Sequence, residues 1–263
     1  MKNWEIFEEQ CNEYLKNEFG EYAKFSLMGG SNSTVSDIKV ETLTHKVFFI
    51  EGKHSPAQCG QFVLLPNLTT QSFEYSKLNE TPINNYTRLI IDFMNNDFES
   101  FKDAGTSGKR IEIKNSSKIF SKWIIETYKH KNVRFFISNG NIIIPIDKVN
   151  KYFNVKAVYR IKRSGSSGVE NKDIDSIKNY ISQNYKINTF SQNGNKLFVS
   201  SNDNMHNERF ILNGHEYMFS ARDDVYEIRR LSNTFNANVI FSIELKPNVV
   251  GITSKKFIKY LKH

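Results

Sequence analysis

The segment VSDIKVETLTHKVFFIEGKHSPAQCGQF, residues 35–62, sets an acid at the head of one strand-like run and Glu-Gly-Lys at the end of the next. The runs are Ile38 to Leu43 and Val47 to Glu51, and the second is continuously apolar up to its acid, as expected of a strand buried on both faces. A hairpin turning near Thr44 to Lys46 places Asp37 opposite Gly52 or Lys53. Glu51 and Lys53 share one face because strand side chains alternate. Three charged groups then converge at one end of a buried pair of strands. Charge there is unfavourable unless it is paired or holds an ion.

Two carboxylates on adjacent strand ends suit a hard divalent cation such as Mg²⁺, which takes oxygen ligands and keeps several waters. Such an ion polarises a phosphate oxygen and acidifies a bound water. Lys53 beside it would orient or help deprotonate the attacking water and screen the charge that develops on phosphorus-bound oxygens. The chemistry is phosphodiester hydrolysis.

Two strand-like segments carry rival Glu-x-Lys patterns, RIEIKN (Glu112, Lys114) and FSIELKP (Glu244, Lys246). Asp103, upstream of the first, has no apolar strand to sit on. Asp223 and Asp224, upstream of the second, are separated from it by a segment that reads as a helix. Only residues 35–62 combine acid, hairpin and apolar strand.

The pattern SDI followed by EGK at the end of VFFI, with thirteen residues between Asp37 and Glu51, resembles the PD-(D/E)XK nuclease superfamily, and within it a type II restriction endonuclease. The resemblance implies that Asp37 and Glu51 are the metal-binding acids and Lys53 the motif lysine. Ser36 stands where the family usually has proline, and GGSNSTVSD is similar to the family's Gly-rich approach to the first acid. Gln58 and Gln61 match glutamines that, in several branches, support the site or contact the scissile phosphate. The resemblance covers residues 1–65, and what it implies is an α/β (α+β) restriction-endonuclease-like core, a mixed central sheet flanked by helices, with a further C-terminal α/β region.

The rest of the chain agrees with a mixed class. Trp4 to Phe19 has one apolar helical face ending at Gly20, and Ser116 to His130 has helical spacing. VRFFISNGNIIIPI reads as a hairpin about Asn-Gly. A short helix over Asp147 to Phe153 precedes the strand VKAVYRIKR. SGSSG, Ser164 to Gly168, reads as a linker or surface loop. A helix near Asp173 to Gln183, strands near Lys196 to Ser200 and Glu216 to Ser220, a helix near Asp223 to Phe235 and the strand NVIFSIELK follow. The expected division is a catalytic core over 1–155 and a DNA-recognition region over 156–263.

The formal charge of +8 favours a polyanionic partner, nucleic acid or an anionic membrane surface. Hydrophobic residues at 39% and aromatics at 13% mark a folding chain and not a disordered one. No signal-peptide-like stretch opens the chain and no apolar run could span a bilayer, so a cytoplasmic location without membrane attachment is expected. Cys11 and Cys59 alone exclude a disulfide framework or thiolate zinc site. DAGTSGKR lacks the spacing of a phosphate-binding loop. A nucleophilic Cys59 with His206 or His215 as base lacks its surrounding signature, and a small buried thiol fits better. His45 and His54 lie nearest the proposed site.

Arg160, Lys162 and Arg163 precede the SGSSG turn and could contact phosphates. Arg229 and Arg230, on the expected 223–235 helix, could read guanine edges or merely touch phosphate, or belong to an amphipathic surface helix with Ile228 and Leu231 inward. The expected activity is Mg²⁺-dependent, site-specific cleavage of double-stranded DNA, with a cognate DNA methyltransferase as genetic partner; a homodimer and a monomer both fit. A repair or structure-specific nuclease and a non-catalytic nucleic-acid-binding protein are the alternatives.

Overall fold

Helix α1 (Asn3–Phe19) turns Cys11, Asn12, Leu15 and Phe19 inward, the i, i+4 and i+3 spacing of one face, in a computed structural model that describes residues 3–28 and 36–262. It is followed by β1 (Ala23–Leu27), β2 (Ile38–Thr42), β3 (Val47–Lys53), β4 (Ala57–Asn67), β5 (Ser72–Tyr75), α2 (Asn85–Asn95), α3 (Phe98–Phe101) and β6 (Lys109–Arg110). Next come α4 (Ser116–His130), β7 (Val133–Ser138), β8 (Ile142–Pro145), α5 (Val149–Tyr152) and β9 (Phe153–Arg163). Then β10 (Ser166–Ser167), α6 (Ile174–Asn184), β11 (Thr189–Asn193), β12 (Lys196–Ser200), β13 (Arg209–Leu212), β14 (His215–Arg222) and β15 (Val225–Leu231) lead to β16 (Phe235–Leu245) and α7 (Ser254–Lys262). The Gly-rich approach at residues 29–35 lies outside the described residues.

The chain divides into one unit of Met1–Arg160 with Ala237–His263 and another of Ile161–Asn236. This differs from the expected division at 155/156: residues 237–263 return to the first unit, because β16 pairs there with β4 and lies beside β9.

In the first unit one sheet runs β1-β2-β3-β7-β8. The β3–β7 pair is parallel and the other pairs are antiparallel, the mixed sheet expected. Parallel neighbours need a crossover, which the segment containing α4 supplies. Phe25, Val40, Ile50, Phe135 and Ile137 form a core with Leu15 and Phe19 of α1 and Phe257 and Leu261 of α7. Strand β3 is central but fully buried on one face only: Phe48 and Ile50 are 8% and 0% exposed, whereas Val47 is 41% exposed.

The unit's second sheet runs β5-β4-β16-β9-β6. Helix α4 packs against both sheets. Tyr128 meets Phe136 of β7 edge-on at 4.9 Å, and Trp123 stacks on Phe241 of β16 at 4.0 Å with Phe62 of β4 at 5.7 Å. These aromatic contacts fix α4 beside the end of β3 that carries Glu51 and Lys53.

In the second unit the sheet runs β11-β12-β15-β14-β13, with Ile174, Ile177 and Ile181 of α6 in its core. The helix expected over 223–235 is strand β15 instead. Arg222 pairs with Val225 across a turn whose Asp223 has φ 45°, and β15 is hydrogen-bonded to β14 on one side and β12 on the other. Pairing on both sides overrides the helical spacing of Ile228 and Leu231. SGSSG is likewise held: Ser166 and Ser167 pair with Leu231 and Arg230 of the same unit. Among the described residues, no helix is long and apolar enough to cross a membrane.

Candidate active site

The β2–β3 hairpin closes through a Thr42 amide to Lys46 carbonyl hydrogen bond of 2.9 Å, with His45 at φ 60° in a three-residue turn. Its register aligns Ile38 with Ile50 and Val40 with Phe48. Continued by one residue, that register sets Asp37 across from Glu51, one position short of the expected Gly52 or Lys53. The charged groups still converge: Asp37 Oδ2 accepts a 2.8 Å hydrogen bond from the Gly52 amide. Lys53 Nζ donates to Glu51 Oε1 at 2.9 Å, with side chains only 11% and 13% exposed.

Glu8 of α1 joins them, a residue the sequence reading missed. A Cβ on Gly52 would lie 3.4 Å from Glu8 Cγ and 3.5 Å from Asp37 Oδ2, which puts both acids in van der Waals reach of the end of β3. The signal was present. Glu8 falls on the same helical stripe as Cys11, Asn12 and Leu15, and an acid on an apolar stripe needs a reason.

The electrostatics follow from burial and crowding. Burial, then Glu51 and Glu8, push Asp37 up to about 7, against the opposing effects of Lys53 and the Gly52 amide. Glu8 is raised mainly by burial and then by Glu51, with Lys53 opposing. For Lys53, burial alone would lower the pKa; Glu51 and the neighbouring Asp37 hold the ammonium well above its usual range. Cys59 behind the site is wholly buried and its thiol is pushed up to about 12 by burial, which excludes the nucleophile reading.

These groups line a cavity of about 470 Å³ together with Gln58, Gln61, Trp123, Thr127, Tyr128 and the turn Leu78–Thr81. Gln58 Nε2 donates to Gln61 Oε1 at 3.2 Å, so the two glutamines are brought together on its wall. Tyr128 and the 78–81 turn had no sequence signal, since packing of α4 and a loop return bring them in.

Among the described residues, no three His, Cys, Asp or Glu side chains are grouped as a ready-made metal cage. The donor set nevertheless fits a cation that keeps its own waters. Asp37 and Glu51 are hard oxygen donors, and the burial and then the Glu51 repulsion that raise Asp37 are what a divalent ion would offset.

No protein-family model and no curated protein matches the chain. A solved structure of HhaI endonuclease in complex with DNA matches with a TM-score of 0.73 and 38% sequence identity, over 99% of this chain and 99% of that one. The chain belongs to the restriction-endonuclease family.

In this restriction-endonuclease fold the two rival Glu-x-Lys copies are dispersed surface groups. Glu112 lies outside the strands, is 71% exposed and faces Arg110 at 3.6 Å. Glu244 is 58% exposed and faces Lys156 at 3.8 Å, while Lys246 donates to the Asn150 carbonyl at 2.8 Å. The segment before Glu244 is β15 and not the expected helix, but no buried pair forms.

The expected DNA-contact residues do not line the cavity. Arg160 in the first unit has a buried Nε without a hydrogen-bond partner. In the second unit Lys162 is exposed. Arg163 pairs with Glu216 and lies 5.6 Å from the Phe235 ring centroid. Arg229 is bound to Glu227 at 2.5 Å and to the Ser166 carbonyl at 2.6 Å, and Arg230 pairs with Glu170 and contacts His215 at 2.9 Å. Strand placement sends Arg229 and Arg230 to acids of their own unit.

Proposed function

We propose that the protein is a Mg²⁺-dependent type II restriction endonuclease that hydrolyses phosphodiester bonds of double-stranded DNA at a specific sequence. The observation that carries the reading is the meeting of Asp37, Glu51 and Lys53 in one cavity of a chain so similar to HhaI endonuclease along its whole length. The three residues match the PD-(D/E)XK arrangement that the sequence resembles.

Asp37 and Glu51 would hold Mg²⁺, which supplies Lewis acidity toward a phosphate oxygen and a lowered pKa of bound water. Lys53 stays protonated beside Glu51, so it serves as a hydrogen-bond donor and cation, not as the base. It orients the attacking water and screens the negative charge that grows on the phosphate oxygens. As the water oxygen bonds to phosphorus, the ester bond on the opposite side breaks; the water gives up a proton and the departing alkoxide gains one. Gln58 and Gln61, on the same wall, would donate to the phosphate before attack.

Lys162 and Arg160 are the simplest phosphate contacts of the basic set, because Arg163, Arg229 and Arg230 would first have to exchange acidic partners to reach DNA. A homodimer and a cognate DNA methyltransferase are the partners this reading anticipates.

The test is incubation with unmethylated phage DNA, with Mg²⁺ or with EDTA, followed by sequencing of the ends. Discrete ends sharing one sequence are expected in Mg²⁺ alone, and Glu51→Ala and Lys53→Ala proteins of unchanged circular dichroism should lose at least about 100-fold in rate. A folded Glu51→Ala protein that cuts at the wild-type rate would sink the assignment. Cleavage confined to branched or single-stranded DNA would redirect it to a structure-specific nuclease.

A further inference from the structure

We infer that a second cavity, at the amino-terminal half of α4, is a phosphate-binding site separate from the Asp37–Glu51–Lys53 cavity. It encloses about 630 Å³ between α4 and the turn at Asp147–Asn150, and Ser117, Lys118, Ser121 and Lys122 line it from the helix. Those four residues occupy one face, because positions three and four apart stack along a helix.

Three observations point to an anionic ligand. Ser121 is 1% exposed, yet its hydroxyl has no hydrogen-bond partner. A buried polar group left bare is unfavourable unless something binds it. Lys118 and Lys122 are exposed and form no ion pair among the described residues, and no acid occupies the first turn. A cation in the first turn opposes the helix dipole, so the unpaired Lys118 there calls for a negative partner, with Lys122 one turn further along the same face. The carboxylate that lines the cavity, Asp147, faces Lys148 at 3.5 Å, which leaves the two helix lysines as surplus positive charge.

The recognition is by side chains more than by bare helix amides. The Ser116 amide donates to the Ile113 carbonyl, and those of Lys118 and Ile119 donate to the Asn115 carbonyl. Hydroxyl donors flanked by two ammonium groups suit a tetrahedral dianion. The phosphate could belong to the DNA backbone or be free in solution; the first source rests on the nuclease reading, the second does not.

Full-length wild type, Ser121→Ala and Lys118→Ala/Lys122→Ala proteins test the site by thermal unfolding in low-millimolar inorganic phosphate. The expected result is a phosphate-dependent rise in melting temperature of wild type that both variants lose. In phosphate-free buffer, Ser121→Ala should melt at or above the wild-type temperature, because it removes an unpartnered buried hydroxyl. Equal shifts in all three proteins, no shift in any, or a lower melting temperature for Ser121→Ala without phosphate would each overturn the assignment.

Binding of a labelled non-cognate duplex across a salt series then separates the sources. A log affinity versus log salt slope smaller by about 0.9 in the double variant identifies one backbone phosphate at the site. An unchanged slope, with the phosphate-dependent melting shift retained by wild type, identifies a free anion. None of these readouts needs cleavage, so their failure is distinct from failure of the nuclease assignment.

Discussion

Asp37 is the residue at which the proposed function and stability oppose each other most directly. Its carboxyl holds a proton up to about pH 7 in the folded, metal-free protein, against an ordinary value of 3.8. Between those values the folded state binds more protons than the unfolded state, so stability is full below about pH 4 and falls as pH rises toward 7. Asp37→Asn removes that penalty. Without divalent metal at pH 8 the variant should melt several degrees above wild type, at roughly 2–4 °C per kcal/mol relieved, and the gap should close by pH 4. Melting curves at the two pH values check this, and a gap independent of pH would refute it. Asp37, Glu51 and Lys53 were legible because each sits at the end of an apolar run, where a charge is out of place. Glu8 was less legible, since its role depends on α1 lying against the far end of β3. Arg229 and Arg230 were legible as cations but not in their partners, because Glu227 shares a face with Arg229 only when the segment is a strand, and Glu170 reaches Arg230 only beside the pairing of β10 with β15.

Among elements, the hairpin of β2 and β3 was readable from two apolar runs and a polar turn, although its register came out one residue from expectation. Helices α1 and α4 were readable from periodicity. The segment now seen as β15 was not, because Ile228 and Leu231 fit a helical face as well as a strand and only the neighbours β12 and β14 decide. The joint between β4 and α4 is the tightest near the site. Gly60 has φ 92°, and a Cβ there would come within 2.9 Å of the Trp123 ring. Trp123 is itself fixed by a 3.1 Å hydrogen bond from its indole to Thr87 and by Phe241 beneath it. Gly60→Ala should therefore destabilise by about 1–3 kcal/mol through overpacking and an unfavourable backbone conformation. Urea unfolding measures this as a lower midpoint at unchanged slope, and a midpoint equal to wild type would show that α4 yields freely. A displaced α4 also moves Thr127 and Tyr128 on the cavity wall, so the surviving folded fraction should cleave more slowly.

At the scale of the molecule, mixed class and basic charge were visible in composition and alternation, but the division into units was not. Nothing local in NVIFSIELK says that it rejoins strands made more than seventy residues earlier; that depends on pairing with β4 across the chain. Strands β9 and β16 are sheet neighbours, and adjacent strands lie about 4.8 Å apart, so Ile161–Asn236 occupies the place of a hairpin loop. Joining Arg160 to Ala237 through a short Gly-containing turn should leave a chain that unfolds in one cooperative transition, and loss of that transition would count against the division. The order of synthesis carries the other consequence. Until residues 237–245 have left the ribosome, the sheet β5-β4-β16-β9-β6 lacks its middle member, so a nascent chain stalled at residue 236 should be digested by protease throughout its first 160 residues. The first unit is begun first and completed last.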